Sequence, residues 1–145
     1  MLQPDSNGVI LTADEIAQSR ENKRKRRTIS QLPVFRNAVL LLDLIVDIAA
    51  KSPKNVRKFT DSSIETVNDL MRYIGMAQEY RGEERLNCII EGISTVYVLK
   101  SHFVIYHSRS IISKDALNKV KKLCDNTVAQ LYGWRDSVQR EGLDV

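Results

Sequence analysis

Four long stretches of the chain place apolar residues at the three- and four-residue spacing of an α-helix, and few residues interrupt them. The 145 residues include only 6 Gly and 3 Pro, whereas a fold of short strands needs turn residues at regular intervals. The length and the 43% hydrophobic content suffice for one globular core. The sequence therefore predicts an all-α fold, an antiparallel up-down-up-down four-helix bundle.

The polar N-terminal region is expected to lie outside this bundle. It is polar almost throughout from Glu15 to Arg27 and cannot bury enough apolar surface to fold alone. We therefore divide the chain into a flexible basic tail at residues 1–31, the bundle at residues 32–140 and a short C-terminal tail at residues 141–145.

Prolines and capping residues mark the helix ends. Pro33 and Pro53 bracket the first helix, because proline can begin a helix but cannot continue one. Ser62 and Glu65 have the spacing of a capping box, and Ser113 is a good N-cap. The expected helices run from about 34 to 50, from about 61 to 80, for more than twenty residues after Arg81-Gly82, and from about 113 to 138.

The first helix is apolar over most of its circumference, which is more than a monomeric bundle needs. We therefore expect a second buried contact, with another subunit. The apolar positions of the first helix are Leu41, Leu42, Leu44, Ile45, Val46 and Ile48, and the polar stripe that faces water is Arg36, Asp43, Asp47 and Lys51.

The third helix also has a repeat of apolar positions, which we expect to face the core. They are Leu86, Ile90, Ile93, Tyr97 and Val104.

The apolar run of the first helix follows a basic cluster, as in a secretory signal, but Asp43 and Asp47 interrupt it. The same charges argue against a membrane span.

Cys88 and Cys124 fall at apolar positions of different helices, which favours buried free thiols in a reducing compartment; a disulfide requires that the two positions oppose each other. We expect a cytoplasmic protein with no membrane partner.

The sequence offers no catalytic or metal-binding pattern. Di-iron bundles carry Glu-x-x-His pairs, and this chain has none. His102 and His107 are five residues apart, a poor spacing for one helical face, and we interpret them as surface or boundary residues. Glycine-rich phosphate loops, nucleophile elbows and zinc motifs are absent as well. We expect a non-catalytic binding protein that needs no cofactor and no metal.

Two groups of basic residues are candidates for contact with RNA or DNA. The first lies in the tail, where a run of bases could neutralise several phosphates without reading sequence; its alternative role is a solvated tail. The second is a face of the fourth helix, formed by Lys114, Lys121 and Lys122, which could equally be the wet side of the bundle. The tail residues are Arg20, Lys23, Arg24, Lys25, Arg26 and Arg27.

Several short motifs occur in the order found in one family of small four-helix bundles. Leu32-Pro33-Val34-Phe35 resembles the start of that family's first helix, and Gln130-Leu131-Tyr132-Gly133-Trp134 resembles the end of its fourth. The intervening matches are Ser52-Pro53-Lys54 with Arg57-Lys58-Phe59-Thr60, then Ala77 and Arg85, then Ile112-Ser113. The chain thus resembles, over about residues 31–137, the accessory variability proteins of diversity-generating retroelements and the related proteins encoded in ribosomal RNA intervening sequences.

The Leu-Pro start and the Gly-Trp ending are more similar to the retroelement branch. That resemblance implies a homopentamer that binds the retroelement's reverse transcriptase and its RNA and supports mutagenic copying of a variable gene. It also implies a strongly basic surface, whereas residues 32–145 carry sixteen bases against fourteen acids. The alternative, from the ribosomal branch, is a structural oligomer with only protein partners. Trp134 is expected in the core or an interface.

Overall fold

The computed structural model describes residues 3–4, 10–14 and 28–142, and the chain divides into two units, Met1–Leu32 and Pro33–Val145. In the first unit, strands β1 (Gln3–Pro4) and β2 (Ile10–Leu11) pair in antiparallel fashion, and a 3-10 turn covers Ile29–Gln31. The predicted basic block at residues 20–27 lies outside the described residues. The prediction that residues 1–31 form a flexible tail therefore remains a prediction.

The second unit is an all-α four-helix bundle, as the sequence predicts. Each helix packs on the next along the chain, and α4 closes the bundle by a lighter contact with α1. Sequential packing with short connections makes neighbouring helices antiparallel. The helices are α1 (Pro33–Lys51), α2 (Arg57–Glu79), α3 (Gly82–Ser108) and α4 (Lys114–Glu141).

The predicted start of the second helix is wrong by four residues. The 3-10 turn Lys54–Val56 leads directly into α2 at Arg57, and no side chain caps that end. Ser62 and Glu65 therefore lie inside the helix, where the Ser62 carbonyl accepts a hydrogen bond from Thr66 Oγ1. The predicted N-cap of α4 is confirmed, because Ser113 Oγ accepts a hydrogen bond from the Ala116 backbone N–H at 3.1 Å.

The core is formed by the facing sides of the four helices. Its largest completely buried side chains include Leu41 of α1, Leu70 of α2, Phe103 of α3 and Leu131 of α4. Both cysteines are buried free thiols, as predicted. Trp134, expected in the core or an interface, is half-buried in the single chain.

Several of the family-like motif residues have structural roles within the bundle. Arg85 of α3 donates from Nε to the Ala77 carbonyl at 2.8 Å and so satisfies the last turn of α2. Asn37 Nδ2 donates to Gln130 Oε1 at 3.3 Å and joins α1 to α4. These two contacts hold a helix end and a helix pair together.

Candidate nucleic-acid interface

Positive charge in the bundle is concentrated in one half. The half nearest the α1–α2 and α3–α4 connections, residues 43–68 and 96–127, carries ten Lys and Arg against six Asp and Glu, a net charge of +4. The other half, residues 33–42, 69–95 and 128–142, carries six against seven, a net charge of −1. We call the first the basic half. Its ten bases are Lys51, Lys54, Arg57, Lys58, Lys100, Arg109, Lys114, Lys119, Lys121 and Lys122.

The bases of the basic half are exposed and almost all unpaired. Among the described residues, the bundle's ion pairs are Arg72–Asp69, Lys100–Asp125 and Arg135–Asp136, so only Lys100 of the ten has a carboxylate partner. Lys121 is half-buried, as is Lys100, and the other eight are exposed. Unpaired surface cations keep their full charge available to an external anion.

The topology brings these residues together although they are far apart in the sequence. Lys54, Arg57 and Lys58 surround the α1–α2 turn, and Arg109 and Lys114 flank the α3–α4 turn. In an up-down bundle both turns lie at the same end. Arg57 and Lys114 occupy the first positions of their helices, where the helix dipole disfavours a cation. Helix stability therefore does not account for their placement.

A buried polar cluster fixes the start of α2 against the end of α3. Ser63 Oγ lies 2.8 Å from His102 Nδ1 and 2.6 Å from Tyr106 Oη, and it donates to the Phe59 carbonyl at 3.1 Å. The Phe59 ring packs on His102 and Tyr106 with centroid separations of 4.8 and 5.0 Å. Because Phe59 immediately follows Arg57 and Lys58, this cluster holds their backbone in place.

The second turn is held by its own backbone. Ile111 N–H donates to the Tyr106 carbonyl at 2.9 Å, and Ser110 adopts a left-handed conformation with φ of 61°. This is the hydrogen-bond pattern of a helix that ends at a left-handed residue. Arg109 and Lys114 are thus presented by an ordered turn.

The pKa of His102 is lowered by burial. Burial disfavours the charged imidazolium, so the folded protein holds His102 neutral at a pH where the unfolded chain, with its ordinary pKa of 6.5, takes up a proton. Below pH 6.5 the unfolded state therefore binds more protons than the folded state. Stability is lost as the pH falls through that value, until the folded pKa is passed.

We expect the free energy of unfolding, measured by urea denaturation between about pH 7.5 and pH 5, to decrease toward the acid end. The His102→Gln variant should show a flatter dependence, because the group that titrates differently in the two states is gone. His107→Gln is the matched control and should keep the wild-type dependence. An unchanged pH dependence in His102→Gln would assign the effect to other groups.

Among the described residues, the serine that contacts a histidine is inaccessible, and burial favours the protonated form of the two cysteine thiols. Ser63, the serine that contacts a histidine, is completely buried. Burial raises the pKa of Cys124 to about 12, and burial, followed by the charges of Glu84 and Glu91, raises that of Cys88. No group of three His, Cys, Asp or Glu residues that could hold a metal ion occurs in the part of the chain that the structure describes.

The structure places some of the predicted site residues in the basic half and leaves others untested. Lys114 and Lys122 are exposed on α4 and Lys121 is half-buried beside them. Arg20, Lys23, Arg24, Lys25, Arg26 and Arg27 lie outside the described residues. Sequence reasoning missed Lys51, Lys54, Arg57 and Lys58, although four bases in eight residues at a predicted turn were a visible signal.

Helix α3 carries an apolar stripe on the side opposite the core. Ile90, Tyr97 and Val104 recur every seven residues and are 44–48% exposed, and Val98 and Ile105, also seven apart, lie beside them at 44% and 39%. Ser94 and Ser101 complete the stripe with small side chains. This heptad spacing is the one that helices use to pack on one another. We call these seven residues the α3 stripe.

The α3 stripe corrects the sequence-based assignment of the third helix. Of the positions singled out there, Ile90, Tyr97 and Val104 are exposed, whereas the completely buried ones include Val96, Leu99 and Phe103. Among the described helices, α3 alone is long and apolar enough to cross a membrane by length and composition. A bundle helix that packs in the core on one side and carries exposed apolar residues on the other has the same length and composition.

Helix α1 adds a smaller exposed apolar surface. Arg36, Asp43, Asp47 and Lys51 face water, as predicted. Leu40 and Val46 are also 51% and 49% exposed, so the apolar part of α1 is wider than the single bundle can bury.

Compared with protein-family models, curated proteins and solved structures, the chain has no significant match. What is established is the all-helical, four-helix arrangement.

Proposed function

We propose that the chain is a non-catalytic accessory protein that binds nucleic acid through the basic half and assists a reverse transcriptase in a diversity-generating retroelement. The observation that supports nucleic-acid binding is the cluster of nine Lys and Arg side chains, none with a carboxylate partner among the described residues, in the half of the bundle that contains the α1–α2 and α3–α4 turns. Such a cluster neutralises phosphates and releases their counterions.

The chemistry of the basic half favours contact with the nucleic-acid backbone. Among its described residues, Tyr97 is the single exposed aromatic side chain, so the ten Lys and Arg side chains are not interleaved with a series of aromatic rings on which successive nucleotide bases could stack. Phosphate contacts position a partner without reading its sequence. We therefore propose affinity for both RNA and DNA.

The reverse transcriptase as partner rests on the resemblance of the motifs. Their order is compatible with the bundle, because Arg85 and Gln130 make contacts that hold it together. Co-purification of the chain with the polymerase of its own locus tests this partner. A reverse transcriptase gene with paired template and variable repeats beside the gene would support it, and a locus with no such gene would count against it.

Self-association is the second part of the proposal. The α3 stripe and, separately from it, the exposed leucine and valine of α1 leave apolar surface that further copies of the chain would remove from water. The resemblance gives the number of copies as five.

A structural oligomer with only protein partners is the second candidate function. The observation in its favour is the α3 stripe, whose uncharged side chains can pack against a protein partner without any nucleic acid. Nucleic-acid binding separates the two candidates directly.

We expect binding to RNA to weaken steeply with salt, with a logarithmic slope of about −0.7 per neutralised phosphate on a single strand. Deleting residues 1–31 removes six bases and should flatten the slope by up to about 4. The bundle should stay folded, because its helices begin at Pro33. Fluorescence anisotropy across a salt series measures the slope, and circular dichroism checks the fold.

The binding that survives the deletion should depend on the basic half, including Lys114, Lys121 and Lys122. If the truncated chain binds with unchanged affinity and slope, the tail is a solvated extension. If neither form binds RNA or DNA at low salt, the nucleic-acid proposal is wrong and the protein-only candidate is the one left to test.

A further inference from the structure

We infer that a cleft between α1 and α4 receives one unpaired nucleotide base, so that the basic half prefers single-stranded nucleic acid to duplex. The inference rests on the proposed nucleic-acid binding and names the class of strand that the same surface selects. Three observations support it: a cavity, the chemistry of the cavity walls, and the position of the cavity among the Lys and Arg side chains of the basic half.

The cleft is a cavity of about 300 Å³ that opens at the surface of the basic half. Its α1 wall consists of Leu44, Asp47, Ile48 and Lys51, whose spacing puts them on one helical face. The opposite wall is formed by Ala116 and Val120 of α4 with loop residues 111–113. The cleft exists because α1 and α4 contact each other less than the sequential helix pairs do.

The walls suit a flat ring. Ile48 and Val120 are buried and Leu44 is 36% exposed, so the cavity has an aliphatic interior and an open mouth. Pockets for drug-sized ligands run from about 300 to 1,000 Å³, so this one holds a single ring system rather than a large cofactor. Proteins that accept a base taken out of its stack hold it between aromatic or apolar side chains.

The polar groups of the cleft match a nucleotide. Lys51 lines the cavity and Lys114 follows the loop that closes it, so a base that enters brings its phosphate close to ammonium groups. Asp47 presents a carboxylate, which accepts hydrogen bonds and donates none. An exocyclic amino group, as in adenine or cytosine, donates to that carboxylate, whereas uracil has no amino group and holds its one N3–H donor between two carbonyl oxygens that the carboxylate repels.

Duplex nucleic acid cannot use the cleft. Its bases are stacked and paired, so it offers phosphates alone, whereas a single strand offers phosphates and a free base. Electrostatics alone would favour the duplex, because its charge density is higher. A preference for the single strand therefore reports a base contact.

The experiment measures the affinity of the full chain for oligoadenylate, for oligouridylate and for their duplex, at equal length and salt, by fluorescence anisotropy. We expect oligoadenylate to bind at least about fivefold more tightly than oligouridylate or the duplex. Ala116→Phe fills the cleft and should abolish this preference while leaving duplex affinity unchanged. Ala129→Phe, at an exposed position of α4, is the matched control and should keep the preference.

A second pair of variants tests the cleft at exposed positions of α1, where a substitution does not disturb the packing of the core. Asp47→Asn and Asp43→Asn alter the net charge equally and lie one turn apart on α1, but only Asp47 lines the cleft. Asp47→Asn should remove the difference between oligoadenylate and oligouridylate, and Asp43→Asn should keep it. This pair decides the matter if Ala116→Phe does not fold.

The possible failures are distinguishable. Equal affinity for single strand and duplex, or a preference that survives both Ala116→Phe and Asp47→Asn, would overturn the base-binding cleft and leave phosphate binding intact. Failure to bind any of the three RNAs would reject the proposed function and the cleft together.

Discussion

Replacing Lys54, Arg57 and Lys58 by glutamine is expected to weaken RNA binding about 100-fold at low salt. If each Lys or Arg contributes against the phosphate backbone what it contributes near an anionic lipid surface, roughly 1 kcal/mol, three contribute roughly 3 kcal/mol, which is about 100-fold in Kd. The three side chains are exposed and have no acidic partner among the described residues, so their loss should leave the helices intact. The logarithmic salt slope should also flatten by about 2. Anisotropy titrations at several salt concentrations measure both quantities.

The matched control neutralises three exposed arginines at the opposite end of the bundle, Arg36, Arg81 and Arg140. It removes the same net charge, so it separates a local contact from a general effect of charge. We expect it to change affinity much less, and about equally for all nucleic acids. Equal losses in the two triple variants would show that binding follows net charge and that the basic half is no interface.

The sequence predicts the fold well where local chemistry marks the helix ends. Pro33 begins α1, Gly82 begins α3 and Ser113 caps α4, each by a mechanism that is visible in one or two residues. The start of α2 carries no such mark. Val56 precedes it without a side-chain cap, and the preceding 3-10 turn passes directly into the helix. The only capping pattern nearby, at Ser62 and Glu65, indicated a start four residues too late.

The buried face of α3 could not be assigned from periodicity. Apolar residues occur on both sides of this helix, so Ile90, Tyr97 and Val104 fit a helical repeat as well as Val96, Leu99 and Phe103 do. Which set faces the core depends on packing against α2 and α4. The amphipathic helix α4 has less of this ambiguity. Its apolar repeat predicts a buried face, and every member is buried except Trp134, which is half-buried: Leu117, Val120, Cys124, Val128, Leu131, Trp134 and Val138.

The candidate interface was predictable only in part, because it is assembled by topology. Lys114 and Lys122 share one helix and could be found by spacing. Arg57 and Arg109 are separated by two helices and come to the same end only in an up-down bundle. The polar cluster of Ser63, His102 and Tyr106 could not be predicted at all, since it depends on the register between α2 and α3.

The second large effect concerns assembly. We expect the double variant Val98→Glu with Ile105→Glu to convert a homo-oligomer, a pentamer by resemblance, into a monomer. Both residues belong to the α3 stripe and are 44% and 39% exposed, so glutamate is readily solvated in the free chain. In an interface the same carboxylates would be buried without partners, at a cost of several kcal/mol per charge. Light scattering coupled to size exclusion measures the mass of each form.

The control places the same two glutamates elsewhere, as Asn68→Glu on α2 and Asn118→Glu on α4, both exposed positions. It should retain the wild-type mass. A wild-type chain that is monomeric at micromolar concentration would contradict self-association outright. An oligomer that persists in the α3 variant would move the interface to α1, where Leu40, Leu44 and Val46 are exposed apolar residues. The RNA affinities of the oligomer and of the dissociated chain then separate nucleic-acid binding from self-association. The nine Lys and Arg side chains without a carboxylate partner belong to a single bundle, so a monomer should still bind RNA. Assembly multiplies the number of these side chains and so raises the affinity.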